Sequence, residues 1–197
     1  QQTFKYIKVA SCSLTDWPLL ERIAKSSLPV IASIGGSSLE DVDRVVGFFE
    51  HRKKDLSLMH CVAEYPTPDE LLHLGQIDLL KARYSGITVG FSTHERPDLF
   101  DAVKIAVAKG AKILERHVGV PTEQYELNDY SSTPAQIKEW VNAGLSAWKM
   151  CGITHERAPI TKKEQKALHS LRRGLFVSSA VCEGEKISSD KVFFAIP

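Results

Sequence analysis

The stretch that decides the fold is Ile87-Thr-Val-Gly-Phe-Ser-Thr-His94, the segment from Pro97 to Gly110, and then Ala111-Lys-Ile-Leu-Glu-Arg-His-Val118. The first and last pieces are short apolar runs rich in branched side chains, which read as strands. Between them Pro97 opens a stripe of Leu99, Val103, Ile105 and Ala106 at helical spacing, and Gly110 stops it. Strand, helix, strand over about 30 residues is the unit that joins two parallel strands. Working outward, three more runs of the same kind precede it: Tyr6 to Ser11, Pro29 to Ile34 and Ser57 to Val62. Helix-start chemistry lies between and after them. Ser37-x-x-Glu40 precedes Val42, Val45, Val46 and Phe49, and Thr67-Pro68-x-Glu70 combines a cap, a first-turn proline and an acid. Thr133-Pro134 opens Ile137, Trp140, Val141, Leu145 and Trp148, ending near Gly152.

Repeated βα units build either an open doubly wound sheet or a (β/α)8 barrel. No strand runs into a G-x-G-x-x-G turn; Gly35-Gly36 follows the second strand but lacks the later glycine. Polar residues stand instead at many strand ends: Ser11, His60, Ser92, His94, Glu115 and His117. A barrel builds its site from groups placed in that way. The expectation is therefore α/β, the C-terminal part of a (β/α)8 TIM barrel, with five βα units over residues 1–155. A barrel has eight strands, so the chain reads as the second half of a longer protein, and alone it is expected to be inactive.

The 197 residues are 43% apolar and 25% charged, enough to bury a core. Lys plus Arg number 25 against 24 Asp plus Glu, so there is no bulk positive field for nucleic acid. No apolar run approaches the roughly 20 residues that cross a bilayer. Cys12, Cys61, Cys151 and Cys182 are scattered without a Cys-x-x-Cys, which suits reduced thiols and a cytoplasmic setting. No nucleic-acid and no membrane partner is expected. The last quarter changes character. A basic helical segment with Thr161-x-x-Glu164 forms a linker over 156–173. Two β-type runs, Leu175 to Val181 and Val192 to Ile196, then read as the start of a small β-rich domain over 174–197.

Several residues invite chemistry. His94 and His117 fall at the tips of adjacent strands, about 4.8 Å apart, where two imidazoles can share a divalent cation or each bond a loop carbonyl. Lys8 sits inside an apolar strand, where an unpaired ammonium is costly. It reads as an anion anchor, as a Schiff-base lysine, or as an edge-strand side chain in solvent. Ser11 and Ser92 could donate to an anion, and His60 reads equally as a core histidine.

Taken together, Tyr6-Ile-Lys-Val-Ala-Ser11, His60-Cys61-Val-Ala-Glu-Tyr65-Pro66-Thr67-Pro68, Gly90-Phe-Ser-Thr-His94 and Ile113-Leu-Glu-Arg-His117 closely resemble the sialic acid synthase family. The resemblance continues through Arg173-Gly-Leu-Phe-Val177 and Gly184-Glu-Lys-Ile187, which look like the entry into that family's antifreeze-like (SAF) domain. It implies a transferase that condenses phosphoenolpyruvate with an N-acetylated amino sugar, N-acetylmannosamine or a relative, to a nonulosonic acid and phosphate. It further implies Lys8, Ser11 and Ser92 on phosphoenolpyruvate, His94 and His117 on a catalytic Mn²⁺ or Mg²⁺, Tyr65 against the sugar, and a homodimer.

The chain departs from the family pattern at Ser13, where an acid is usual, at Ala63 in place of Asn or Ser, and at Thr93 in place of Asp. A further departure is the loop Pro121 to Ser132 with its Asn128-Asp129-Tyr130-Ser131. Most of these touch the sugar side. Asp129 and Glu115 are both candidates for acid–base work. Two rival readings use the same residues: a Schiff-base aldolase with Lys8 as nucleophile, and a non-catalytic barrel partner or interaction module.

Overall fold

The computed structural model describes residues 4–152 and 155–196. The chain divides into two compact units, residues 1–152 and 153–197. The expected border at 155 falls beside residues 153 and 154, which lie outside the described residues, as does Pro197.

The first unit is an α/β half-barrel. Its strands are β1 (Ile7–Val9), β2 (Val30–Ser33), β3 (Leu56–Cys61), β4 (Thr88–Thr93) and β5 (Leu114–Arg116). They pair in sequence order, all parallel, with β1 and β5 outermost. The helices are α1 (Trp17–Ala24), α2 (Leu39–His51), α3 (Gln76–Arg83), α4 (Asp101–Ala108) and α5 (Pro134–Cys151).

Side chains alternate across each strand. Val9, Ala32, Leu58, Val89 and Phe91 pack outward against Leu20 and Ile23 of α1, Val42, Val45 and Phe49 of α2, Ile77 and Leu80 of α3, and Ala102 and Ala106 of α4. The opposite face carries Lys8, Ser33, Cys61, Ser92 and Glu115. Gly144 of α5 faces α4 and β5, where an added Cβ would meet Val103 at 3.4 Å and Leu114 at 3.5 Å in ordinary contact.

Local sequence explains most helix starts. Thr133 caps α5 in a reciprocal box with Gln136, and Pro134 fills the first turn. Three expectations need correction, the first being that α4 begins at Asp101 and not at Pro97. The cap of α2 is Ser38, one residue later than read, and it accepts from the Asp41 amide at 3.1 Å. The helix expected from Thr67-Pro68 is only a short 3-10 turn (Asp69–Leu71), and α3 begins at Gln76. The reason is local: the Thr67 hydroxyl donates to Glu64 O at 2.7 Å instead of capping, and His73 takes a left-handed φ of 43° that interrupts the helix. The pattern names no helix between the first two strands. The structure builds α1 there, with Asp16 as cap and Pro18 in the first turn.

In the second unit, Thr161 caps α6 (Lys162–Leu171) by accepting from the Glu164 amide at 3.0 Å. β6 (Gly174–Val177) and β7 (Val192–Ala195) form an antiparallel pair in which Phe176 lies opposite Phe193.

Candidate functional site

A cleft of about 440 Å³ opens at the C-terminal ends of all five parallel strands. Register explains its lining. Cys61, Ser92 and Glu115 are direct partners across β3, β4 and β5, so their side chains share one row. Two residues farther along each chain, Ala63, His94 and His117 return to the same face. Lys8 and Ser33 enter from β1 and β2, and Tyr65 and Tyr130 from loops. The six residues assigned to substrate or metal, Lys8, Ser11, Tyr65, Ser92, His94 and His117, therefore line one cleft.

Lys8 is not a solvated edge lysine. Its Nζ donates to Ser33 Oγ at 2.8 Å and stands 3.2 Å from Glu115 Oε2, spanning the cleft from the first strand to the fifth. Ser11 Oγ accepts from the Gly35 amide at 3.0 Å and lines the cleft beside Cys61. The approach at Gly35 is tight: a Cβ there would come to 3.0 Å of Ser11 Oγ and 3.1 Å of Cys61 Sγ.

His94 Nδ1 lies 2.9 Å from Val62 O. A carbonyl can only accept, so Nδ1 carries the proton and Nε2 keeps its lone pair. Burial holds the His94 pKa below the ordinary imidazole value; the bond to Val62 opposes this and the nearby His117 adds to it. A neutral ring fixed through its other nitrogen is what a metal-binding histidine requires. The His94 and His117 ring centroids are 5.2 Å apart. Among the described residues no group of three His, Cys, Asp or Glu side chains is arranged around one point. A cation held here would take two protein nitrogens, from His94 and His117, and draw the rest of its shell from water or substrate oxygens. Cys61 is buried beside His94, and burial pushes its thiol pKa up, against weaker opposing bonds from Ser11 and Ser92, so it stays a neutral wall of the site.

His60 is a core histidine. It is buried on the outward face, 2.8 Å from Leu72 O through Nε2, and stacks on Phe91. Between the two acid–base candidates, Glu115 lies in the cleft, whereas Asp129 is exposed outside its lining.

Three features escaped the sequence reading. Ser33 shares Lys8. Tyr130 sets its ring edge-on against both His94 and His117, at 6.0 and 5.2 Å between centroids, and lies 5.1 Å from the Tyr65 ring. Beneath the two histidines, Glu95 and Arg116 form an ion pair whose side chains are both fully buried. Burial raises the Glu95 pKa and the Arg116 charge opposes it. The neighbouring positions carry the only available signal: Glu95 and Arg116 each adjoin a candidate histidine.

The NeuB family model matches residues 1–156. A crystal structure of a putative spore coat polysaccharide biosynthesis protein E from Chromobacterium violaceum superposes with a TM-score of 0.89 at 52% identity, over 98% of this chain and 57% of that one. An N-acetylneuraminic acid synthetase structure from Leptospira borgpetersenii superposes with a TM-score of 0.74 at 30% identity, over 83% of this chain and 56% of that one. The N-acetylneuraminate-9-phosphate synthase of Drosophila melanogaster is 30% identical over 80% of this chain and 42% of its own length. The chain spans about half the length of the curated relatives it matches. The row of strand-tip residues and the match over four fifths of the sequence agree: this chain belongs to the NeuB family.

Proposed function

We propose that the chain supplies the β1–β5 side of the active site of a synthase that condenses phosphoenolpyruvate with an N-acetylated amino sugar, N-acetylmannosamine or a relative, to a nonulosonic acid. The observation that carries this reading is the convergence of Lys8, Ser11, Ser92, His94 and His117 on one cleft. The Lys8 ammonium and the Ser11 and Ser92 hydroxyls hold the phosphate and carboxylate of phosphoenolpyruvate, as donors already oriented by Ser33, Gly35 and the strand register. Tyr65, half exposed at the mouth, faces the sugar.

His94 and His117 would hold Mn²⁺ or Mg²⁺, which when bound supplies Lewis-acid polarisation of the acceptor's carbonyl. In the reaction, C3 of phosphoenolpyruvate bonds to the acceptor's aldehyde carbon, and the former carbonyl oxygen takes a proton from solvent. Water adds at C2, Glu115 takes the proton that water gives up, and the C2–O bond breaks so that phosphate leaves with the bridging oxygen. A Schiff base on Lys8 is the poorer reading, because its ammonium is engaged by Ser33 and Glu115.

The second unit is read as the opening of a SAF-type domain, supported by the β6–β7 pair, and the intact protein as a cytoplasmic homodimer. No helix among the described residues is long and apolar enough to cross a membrane. The test is phosphate release by the full-length protein with Mn²⁺, phosphoenolpyruvate and a panel of N-acetylated mannosamine-type sugars. Release that requires all three components is expected. No release with any acceptor, or borohydride trapping of a pyruvyl adduct on Lys8, overturns the reading.

A further inference from the structure

We propose that Arg116, with Glu95 as its counter-charge, is a positioning residue that sets the separation of His94 and His117 and seats the loop carrying Tyr130. The network joins three segments. Arg116 Nη1 pairs with the Glu95 carboxylate, its Nη2 donates to Glu95 O at 2.8 Å, and its Nε donates to Ser132 Oγ. Glu95 directly follows His94, Arg116 directly precedes His117, and Ser132 ends the turn that presents Tyr130. Ser132 is itself fully buried, and its amide donates to His117 O at 2.9 Å. One guanidinium therefore fixes the backbone on both sides of the histidine pair and at the return of the 119–132 loop.

The energetics point to geometry and not to stability. Every other ion pair among the described residues keeps its side chains at least 28% exposed, whereas this pair has none of its surface in water. A buried pair must recover a large desolvation penalty, and a well-packed apolar pair of similar volume stabilises a fold as well or better. What an apolar pair cannot do is hold a carboxylate, a carbonyl and a hydroxyl in one plane, which the rigid fork of arginine does. The β4 and β5 tips carry no ladder bond between His94 and His117 themselves, since the paired register ends at Thr93 and Arg116. The clamp stands where the ladder stops.

The inference rests on the synthase reading only for what the histidines bind, and the experiment separates the two. In the full-length protein we would compare wild type, Arg116→Lys, Ser132→Ala and the double replacement Glu95→Leu/Arg116→Met. Long-range ¹H–¹⁵N correlation would follow the imidazoles of His94, His117 and His60, and Mn²⁺ affinity would be measured alongside.

The expected result is that the folded double variant moves the His94 and His117 resonances but leaves His60, and weakens Mn²⁺ by about 10–100-fold, the usual cost of losing an outer-shell partner. Phosphate release should fall in kcat while KM for phosphoenolpyruvate stays, because Lys8, Ser11 and Ser92 are held elsewhere. Arg116→Lys keeps the charge but not the fork, and it should show the same loss. If the double variant does not fold, Arg116→Lys and Ser132→Ala decide on the same readouts. Unmoved His94 and His117 resonances with wild-type Mn²⁺ affinity in a folded variant overturn the clamp. A wild type that neither binds Mn²⁺ nor releases phosphate overturns the synthase reading, while the resonances still decide the clamp.

Discussion

Gly90 lies in the middle of β4, facing the barrel interior opposite Met59. Replacing it with alanine tests how the strands hold the site. The added Cβ would fall 2.5 Å from Ile113 O and 2.9 Å from Ile113 Cβ, and would also strike the Met59 sulfur. Met59 is a flexible side chain and can turn away. The carbonyl cannot, because it accepts the Phe91 amide at 2.8 Å and so belongs to the β4–β5 join. Cβ atoms essentially never approach closer than 3.0 Å, so β5 has to retreat by at least about 0.5 Å. Overpacking of this kind costs about 1–3 kcal/mol. For domains of 150–250 residues each kcal/mol lowers Tm by about 2–4 °C. The retreat also carries Glu115 and His117 away from Ser92 and His94. Gly90→Ala in the full-length protein should therefore lower Tm by a few degrees and weaken Mn²⁺ binding together, as measured by calorimetry and metal titration. An unchanged Tm, or a lowered Tm with wild-type Mn²⁺ affinity, would refute the argument that β4–β5 spacing sets the histidine pair.

Three other outcomes follow from the geometry. His94→Ala and His117→Ala should each abolish stoichiometric Mn²⁺ binding while far-ultraviolet circular dichroism is kept, since both lie beyond the last ladder pair; retained stoichiometric metal in either variant contradicts the assignment. Lys8→Arg should retain part of the affinity for phosphoenolpyruvate and Lys8→Met should lose at least about tenfold, by titration of the ligand; equal affinity in both would remove the anion-anchor role. The Asp43 carboxylate, gripped by Arg83 at 2.8 Å and by the Tyr84 hydroxyl at 2.7 Å, is held down to about 2 from an ordinary 3.8, first by the Arg83 bonds and then by Tyr84. A lowered folded-state value stabilises above the unfolded value and is lost as pH falls, so the Tm gap between wild type and Asp43→Asn should be full above pH 5 and close between about pH 4 and 2. A gap that widens on acidification would contradict the sign.

How much of this was legible depends on where the determining forces act. The five strands and the caps at Thr133 and Thr161 rest on apolar runs and residues within one turn, and those are local. The start of α3 departs from the local pattern because the Thr67 hydroxyl bonds backward to Glu64 O while its amide bonds His94 O, a partner distant in sequence. The fate of the site residues divides in the same way. Lys8, Ser92, His94 and His117 declare themselves as polar groups at strand ends. Ser33 becomes part of the site only through its distance to Lys8, and Tyr130 only through the fold of a twelve-residue loop. Nothing in the sequence separates Arg116 from Arg96, each of which follows a glutamate near a candidate histidine. Only the tertiary packing makes the Arg116 guanidinium fully buried and leaves Arg96 in water.

The row formed by Cys61, Ser92 and Glu115 also means that the chemistry of the cleft is written in parity. A shift of β5 by one residue against β4 would conserve every backbone bond it could make, yet would present Arg116 and Val118 where Glu115 and His117 now stand. A carboxylate and an imidazole would be exchanged for a guanidinium and an aliphatic chain. Such a species would keep the helix and strand content of the native form and would be blind to an anion-plus-cation substrate pair. Strand count therefore measures how much protein has folded, and metal titration measures how much has folded in phase.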